Sequence, residues 1–221
     1  MIIVIDGPAG SGKSSTAKAL SNQLNIHFLD SGALYRAVTY YWISEGKPDQ
    51  KTFFDLLPVM NLNVDLADNS FIVRLNNTNI SDKIRSSSVA NHVSDIASLP
   101  VVRKIVNAFM RNLVKQHTFI ADGRDLGTAV FPDADLKFYM DASIEERADR
   151  RHREMEASGK SVARDRVIKN LKERDHKDQN RDADPLKKAD DAIVIDTTGK
   201  SFEEQVAEMA AIINEKLHIN P

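Results

Sequence analysis

The chain has no cysteine among its 221 residues. A disulfide framework, a thiolate zinc site and a cysteine nucleophile are all excluded. Charge of one sign is also lacking: 30 lysines and arginines face 32 aspartates and glutamates, a formal net charge of −2. That balance excludes a generally basic nucleic-acid binder, although a local basic cluster can still sit within it. No apolar run approaches the ~20 residues that span a bilayer. Met1–Asp6 meets an acid before a signal-peptide core could form and lacks a basic leader, so a cytoplasmic protein without membrane attachment is expected. Repeats, low-complexity segments and long apolar heptads are missing too, which makes a monomer the expectation. What is present is a hydrophobic fraction of 42%. That is enough to bury a real core, in a length suited to one sizeable domain or a domain with a small insert.

Short apolar runs mark the sheet. Ile2–Ile5 is aliphatic and stops at Asp6-Gly7-Pro8, the pattern of a buried parallel strand. Lys13–Leu24 reads as a helix through Ala17, Leu20 and Leu24. His27–Asp30 is a second strand, and Ala33–Ile43 a long apolar helix ending near Gly46-Lys47-Pro48. Between Val59 and Ile80 the period changes to two, along Asn61–Leu66 and Ile72–Leu75 with Asp68-Asn69 as turn residues, which reads as a small antiparallel insert. Helical spacing returns over Val101–Val114. Phe119–Asp122, Leu136–Asp141 and Ala192–Asp196 are further strands, and Phe202–Leu217 is a closing helix. Strands alternating with helices give a doubly wound α/β sheet of about five core strands, with its ligand beyond the strand carboxyl ends. Glu145–Lys188 is the most polar stretch, with 14 basic and 11 acidic residues. It reads either as a solvated, salt-bridged helical pair or as a mobile lid over an anionic substrate.

Gly7-Pro8-Ala9-Gly10-Ser11-Gly12-Lys13-Ser14 fits Gly-x-x-x-x-Gly-Lys-Ser/Thr in full, after a strand and opening a helix. In such a loop the glycines let backbone N–H groups turn toward phosphate oxygens, reinforced by the helix N-terminus. Lys13 adds a point charge for the β- and γ-phosphates, and Ser14 a hydroxyl for Mg²⁺. The motif specifies a nucleoside triphosphate but not a reaction. A GTPase would also carry Asn-Lys-x-Asp for guanine, and the chain has no such tetrapeptide. Motor ATPases are usually larger, whereas small kinases need a second anion site. Candidates for one are plentiful. Arg36 lies early in the helix after the second strand, Arg124 leaves the third, and Arg174 and Arg181 come from the polar stretch. Arginines converging from separate elements make little structural sense unless a phosphate neutralises them. The six histidines form no ligand-like cluster and read as surface or packing residues.

At these residues the chain resembles the bacterial cytidylate kinases. The resemblance runs from Ile3 to Ala211 and is carried by Ile5–Lys13, Asp30–Arg36, Ala121–Thr128 and Asp190-Asp191-Ala192. The first block is shared by many P-loop proteins, and Asp122–Thr128 is the most specific. The resemblance implies transfer of the ATP γ-phosphoryl group, with Mg²⁺, to CMP or dCMP. It implies a core of residues 1–30, 100–145 and 190–221, a monophosphate-binding region with the β insert at 31–99, and a lid at about 146–188. Gly7–Ser15 would hold the donor phosphates. Arg36, Arg124 and Arg181 would surround the acceptor α-phosphate, and Ser31 and Asp122 would also bind substrate. Ser94, Arg103 and Asp125 match the cytosine-reading positions, and Arg174 with Asp178 the ribose contacts. Ser14, and Asp122 through water, would serve Mg²⁺. Lys13, Arg124, Arg181, Arg147 and Arg151 would act on the transferring phosphoryl, with Arg150 in the same lid segment. Ser15 departs from the threonine common in the family, while the metal-ligand hydroxyl at Ser14 remains. Asp6 and Asp30, at strand ends, read as structural. A kinase for UMP or AMP, or a P-loop regulator without turnover, are the alternatives, and a regulator has no use for a second anion site.

Overall fold

The computed structural model describes residues 1–66, 70–115, 117–157, 159 and 161–217. Five parallel strands form its central sheet: β1 (Ile2–Asp6), β2 (His27–Asp30), β6 (Phe119–Gly123), β7 (Leu136–Asp141) and β8 (Ile193–Asp196). Their order across the sheet is β2-β6-β1-β7-β8. β1 lies between β6 and β7 with Ile3, Val4 and Ile5 fully buried, which explains its unbroken aliphatic run. Helices cover both faces. α1 (Lys13–Gln23) and α8 (Phe202–Leu217) pack Leu20, Met209 and Ile213 on one side. On the other, α2 (Ser31–Ser44), α4 (Ser87–Ser98) and α5 (Pro100–Leu113) share a core containing Leu34, Val38, Ile96, Val106 and Met110. The doubly wound sheet is as expected.

The small antiparallel sheet, β3 (Leu62–Asp65), β4 (Ile72–Leu75) and β5 (Thr78–Asn79), is also as expected. The turn read at Asp68-Asn69 lies outside the described residues, as does His218. α2 begins at Ser31, earlier than its apolar stripe, because the Asp30 carboxylate caps it by accepting from Ala33 N at 2.8 Å. α3 (Gln50–Leu56), α4 and a π-helical turn at Leu126–Val130 were not legible from periodicity. The polar stretch is a helical pair, α6 (Ile144–Ala157) and α7 (Arg164–Asn180), laced by Arg164–Asp149 and Arg151–Glu154 ion pairs. No helix among the described residues is long and apolar enough to cross a membrane.

Candidate active site

The sheet register brings the chemistry to one edge. Asp30 pairs with Asp122 across β2 and β6, and Asp6 with Gly123 across β1 and β6, so these strand ends open into the same space. A cavity of about 730 Å³ lies there, walled by the P-loop, α2, α4, α6, α7 and the start of α8.

Two glycines give the P-loop its path. A Cβ on Gly7 would sit 2.0 Å from the Met140 carbonyl oxygen, so no side chain fits. Gly12 adopts φ 91° as the N-cap of α1, a left-handed conformation that glycine tolerates without strain. Inside the loop, Lys13 is 4% exposed and its Nζ donates to the Pro8 carbonyl at 3.0 Å. Burial drives its pKa down, assisted by Arg124 and opposed by Asp122. A buried ammonium whose hydrogen-bond partner is a carbonyl gains strongly when an anion arrives.

Beside it, the exposed Ser14 hydroxyl donates to Asp122 Oδ2. Asp122 is buried, and its Oδ1 has no hydrogen-bond partner among the described residues. Burial and the neighbouring Asp30 push the Asp122 pKa up, against Lys13, Ser14 and Arg124. A hydroxyl and an under-satisfied carboxylate are the hard oxygen donors that Mg²⁺ takes. Ser31 donates to the Asp122 carbonyl at 2.6 Å, fixing the start of α2 to the end of β6.

The opposite wall is a lattice of arginines and carboxylates. Arg124 Nε pairs with Asp178 at 2.9 Å. Arg103, 2% exposed, donates to Asp125 and pairs with Asp184 at 2.8 Å, with its guanidinium carbon 5.3 Å from the Tyr35 ring centroid. Arg181 reaches the other Asp125 oxygen at 2.8 Å and the Asp184 carbonyl. Burial raises the Asp125 pKa, and Arg103 and Arg181 pull it back. An ionised carboxylate has about four acceptor sites, so two guanidiniums leave room for a further donor.

Arg36 and Arg174 differ from these. Among the described residues neither has a hydrogen-bond or ion-pair partner. Burial lowers both pKa values and adjacent arginines lower them further, Arg174 to about 10, while Asp30 opposes the shift at Arg36 and Asp178 at Arg174. Two half-buried guanidiniums with other arginines beside them and no bonded carboxylate among the described residues can receive an anion.

Of the residues expected from sequence, Ala9, Gly10, Gly12, Lys13, Ser14, Ser15, Ser31, Arg36, Ser94, Arg103, Asp122, Arg124, Asp125, Arg150, Arg151, Arg174, Asp178 and Arg181 line the cavity. Gly7, Pro8 and Ser11 shape the loop from behind. Arg147 stands elsewhere than expected: it is buried behind the P-loop, donating to the Ala9 and Ala142 carbonyls and to Asp175, because the packing of α7 on α6 turns it inward. Asp6 and Asp30 have the structural bonds expected of them, although Asp30 also faces the cavity. The five described histidines lie outside it. Unread in the sequence were Arg85, whose nearest acid is Asp30 at 3.8 Å, and Asp184, the partner of Arg103. The alternating Arg/Asp run from 174 to 184 was the one signal for Asp184.

Likeness to solved structures speaks to the fold alone. An uncharacterized protein from Eubacterium ventriosum ATCC 27560 superposes with a TM-score of 0.52 at 14% identity, over 97% of this chain and 98% of that one. Sequence relatives are much nearer. Cytidylate kinase of Carboxydothermus hydrogenoformans is 40% identical over 98% of both chains. Cytidylate kinase of Clostridioides difficile strain 630 is 41% identical over 97% of this chain and 98% of its own. The family model for cytidylate kinase matches residues 3–215. With that span matched and the P-loop facing an arginine-lined second site, the chain belongs to the cytidylate kinase family.

Proposed function

We propose that the protein transfers the γ-phosphoryl group of ATP to CMP and dCMP, giving ADP with CDP or dCDP. The observation that carries this reading is the pair of guanidiniums, Arg36 and Arg174, that have no hydrogen-bond or ion-pair partner among the described residues and share one cavity with the buried Lys13 of the P-loop. Two anions are thereby called for, and a monophosphate beside a triphosphate satisfies both.

The P-loop amides and Lys13 hold the donor phosphates. Arg36, Arg124 and Arg181 draw in the acceptor phosphate, with Arg124 and Arg181 trading carboxylate partners for phosphate oxygens. Arg174 and Asp178 meet the ribose, and the Arg174 charge adds to the field that draws in the acceptor phosphate. Ser94, Arg103 and Asp125 read cytosine, the carboxylate accepting from its amine and the guanidinium donating to N3 or O2. Arg151 and Arg150 face the phosphoryl path from α6. Ser14, and Asp122 through water, are the residues that would hold Mg²⁺, which would supply neutralisation of the charge that develops on the transferring phosphoryl group. An acceptor phosphate oxygen is already an anionic nucleophile, so alignment and charge stabilisation suffice without a general base.

A coupled ADP-release assay with CMP, dCMP, UMP and AMP tests the reading. CMP and dCMP should turn over at least ten times more efficiently than UMP and AMP. Preference for AMP or UMP would reassign the acceptor, and no turnover with any of them would remove the kinase reading.

A further inference from the structure

Ala9, near the crest of the P-loop, is gripped through both of its peptide groups by the two lid helices. Its N–H donates to Asp175 Oδ1 at 3.0 Å, and its carbonyl accepts from Arg147 Nη1 at 3.0 Å. The same Arg147 nitrogen reaches Asp175 Oδ2 at 2.5 Å, while Arg147 Nε donates to the Ala142 carbonyl at 3.1 Å. Arg147 and Asp175 are only 8% and 9% exposed. Around them Ala9, Ala148, Val167 and Leu171 close an apolar cluster. Asp175 comes from α7 and Arg147 from α6, so the loop is tied to both helices at once.

A buried ion pair is a weak source of net stability, because desolvating two charges consumes most of their attraction. What the pair does supply is position: two opposed hydrogen bonds leave the Ala9 peptide one orientation. On α7, moreover, Arg174 and Asp178 recur at helical spacing and line the acceptor wall with Arg181 at the C-cap, next to the Asp175–Leu171 stripe that meets Ala9. One helix thus holds the donor loop with one stripe and the acceptor wall with the next.

We propose that Arg147 and Asp175 are positioning residues, which set the P-loop for donor phosphates and register it against the acceptor wall of α7. The inference rests on the reading of the P-loop as the donor site. Neither side chain lines the cavity. Asp175→Asn leaves an acceptor for the Ala9 N–H but abandons the Arg147 charge and its geometry.

The experiment compares Asp175→Asn with the double variant Arg147→Met/Asp175→Leu, each assayed well below its melting midpoint. The single variant should raise KM for ATP at least tenfold, while the dissociation constant for CMP measured without ATP stays within threefold of wild type. The double variant removes the uncompensated charge and should regain thermal stability, with the ATP defect persisting. Recovery of KM for ATP together with stability would overturn the proposal, since the pair would then be merely structural. KM for ATP within threefold of wild type in both variants, or an equal loss of CMP affinity, would also overturn it. Wild-type turnover in Lys13→Ala would instead overturn the donor-site reading beneath it.

Discussion

Ser14 and Asp122, 108 residues apart, meet through a hydrogen bond from the serine hydroxyl to Asp122 Oδ2, while Asp122 Oδ1 is buried without a partner among the described residues. An orphaned carboxylate oxygen costs free energy unless something completes it. The hydroxyl and carboxylate together suit a divalent cation.

Asp122→Asn should therefore raise the Mg²⁺ concentration for half-maximal activity at least tenfold, or about 1.4 kcal/mol. The KM for CMP should move less than threefold, because the Asp122 carboxylate is bonded to Ser14 of the P-loop. A Mg²⁺ titration of initial rates at saturating ATP and CMP reads this. An unchanged midpoint would assign Asp122 to bracing Ser14 and the end of β6.

The loop and its arginines were legible because their information is local. Gly7 to Ser14 is one contiguous motif between a strand and a helix, and Arg36 and Arg124 lie within a few residues of strand ends. The insert was legible through its period of two. Arg147 was not, because its direction depends on how α7 packs against α6, and nothing in the spacing of α6 encodes that. α4 escaped for another reason. It begins in the serine-rich Ser86–Ser88 and buries only Val89 and Ile96, too sparse a stripe to register as a helix. Asp184 and Asp175 were hidden in a charge run where every acid has an arginine nearby; only the fold selects the pairs.

On the proposed reading, base selection falls on Asp125, which the structure brings against Arg103 and Arg181. Cytosine offers an amine to the carboxylate, whereas uracil sets O4 against it and N3–H against the Arg103 donors. Asp125→Asn keeps the shape and supplies an amide donor for O4. The ratio of kcat/KM for CMP over UMP should fall at least about tenfold, ~1.4 kcal/mol. If Asp125 only braces the two arginines, both substrates will lose efficiency together and the ratio will stay put.

Asp6 carries a pH signature. Its carboxylate accepts from Leu126 N at 3.0 Å and Gly127 N at 2.7 Å, yet burial raises its pKa from 3.8 to about 6. Between those values the folded state keeps a proton that the unfolded chain has released. The resulting stabilisation is complete below pH ~4 and lost as pH rises through 6, at most about 3 kcal/mol. Asp6→Asn has no such titration. Denaturant melts from pH 4 to 7 should show the variant gaining on wild type as pH increases; a flat or opposite difference contradicts the raised pKa.

Transfer of label from [γ-³²P]ATP to CMP, by wild type and by Lys13→Ala, is the most direct measurement of all. Lys13 is buried against the loop carbonyl rather than in the apolar core, so the variant should fold normally, with circular dichroism as the check. Wild type should place the label in CDP, with little in inorganic phosphate. Lys13→Ala should lose roughly 10²–10³ in rate, about 3–4 kcal/mol of barrier, as other preorganised charges do. Label released as phosphate instead of CDP, or near-normal transfer by the folded variant, would contradict phosphoryl transfer at this loop.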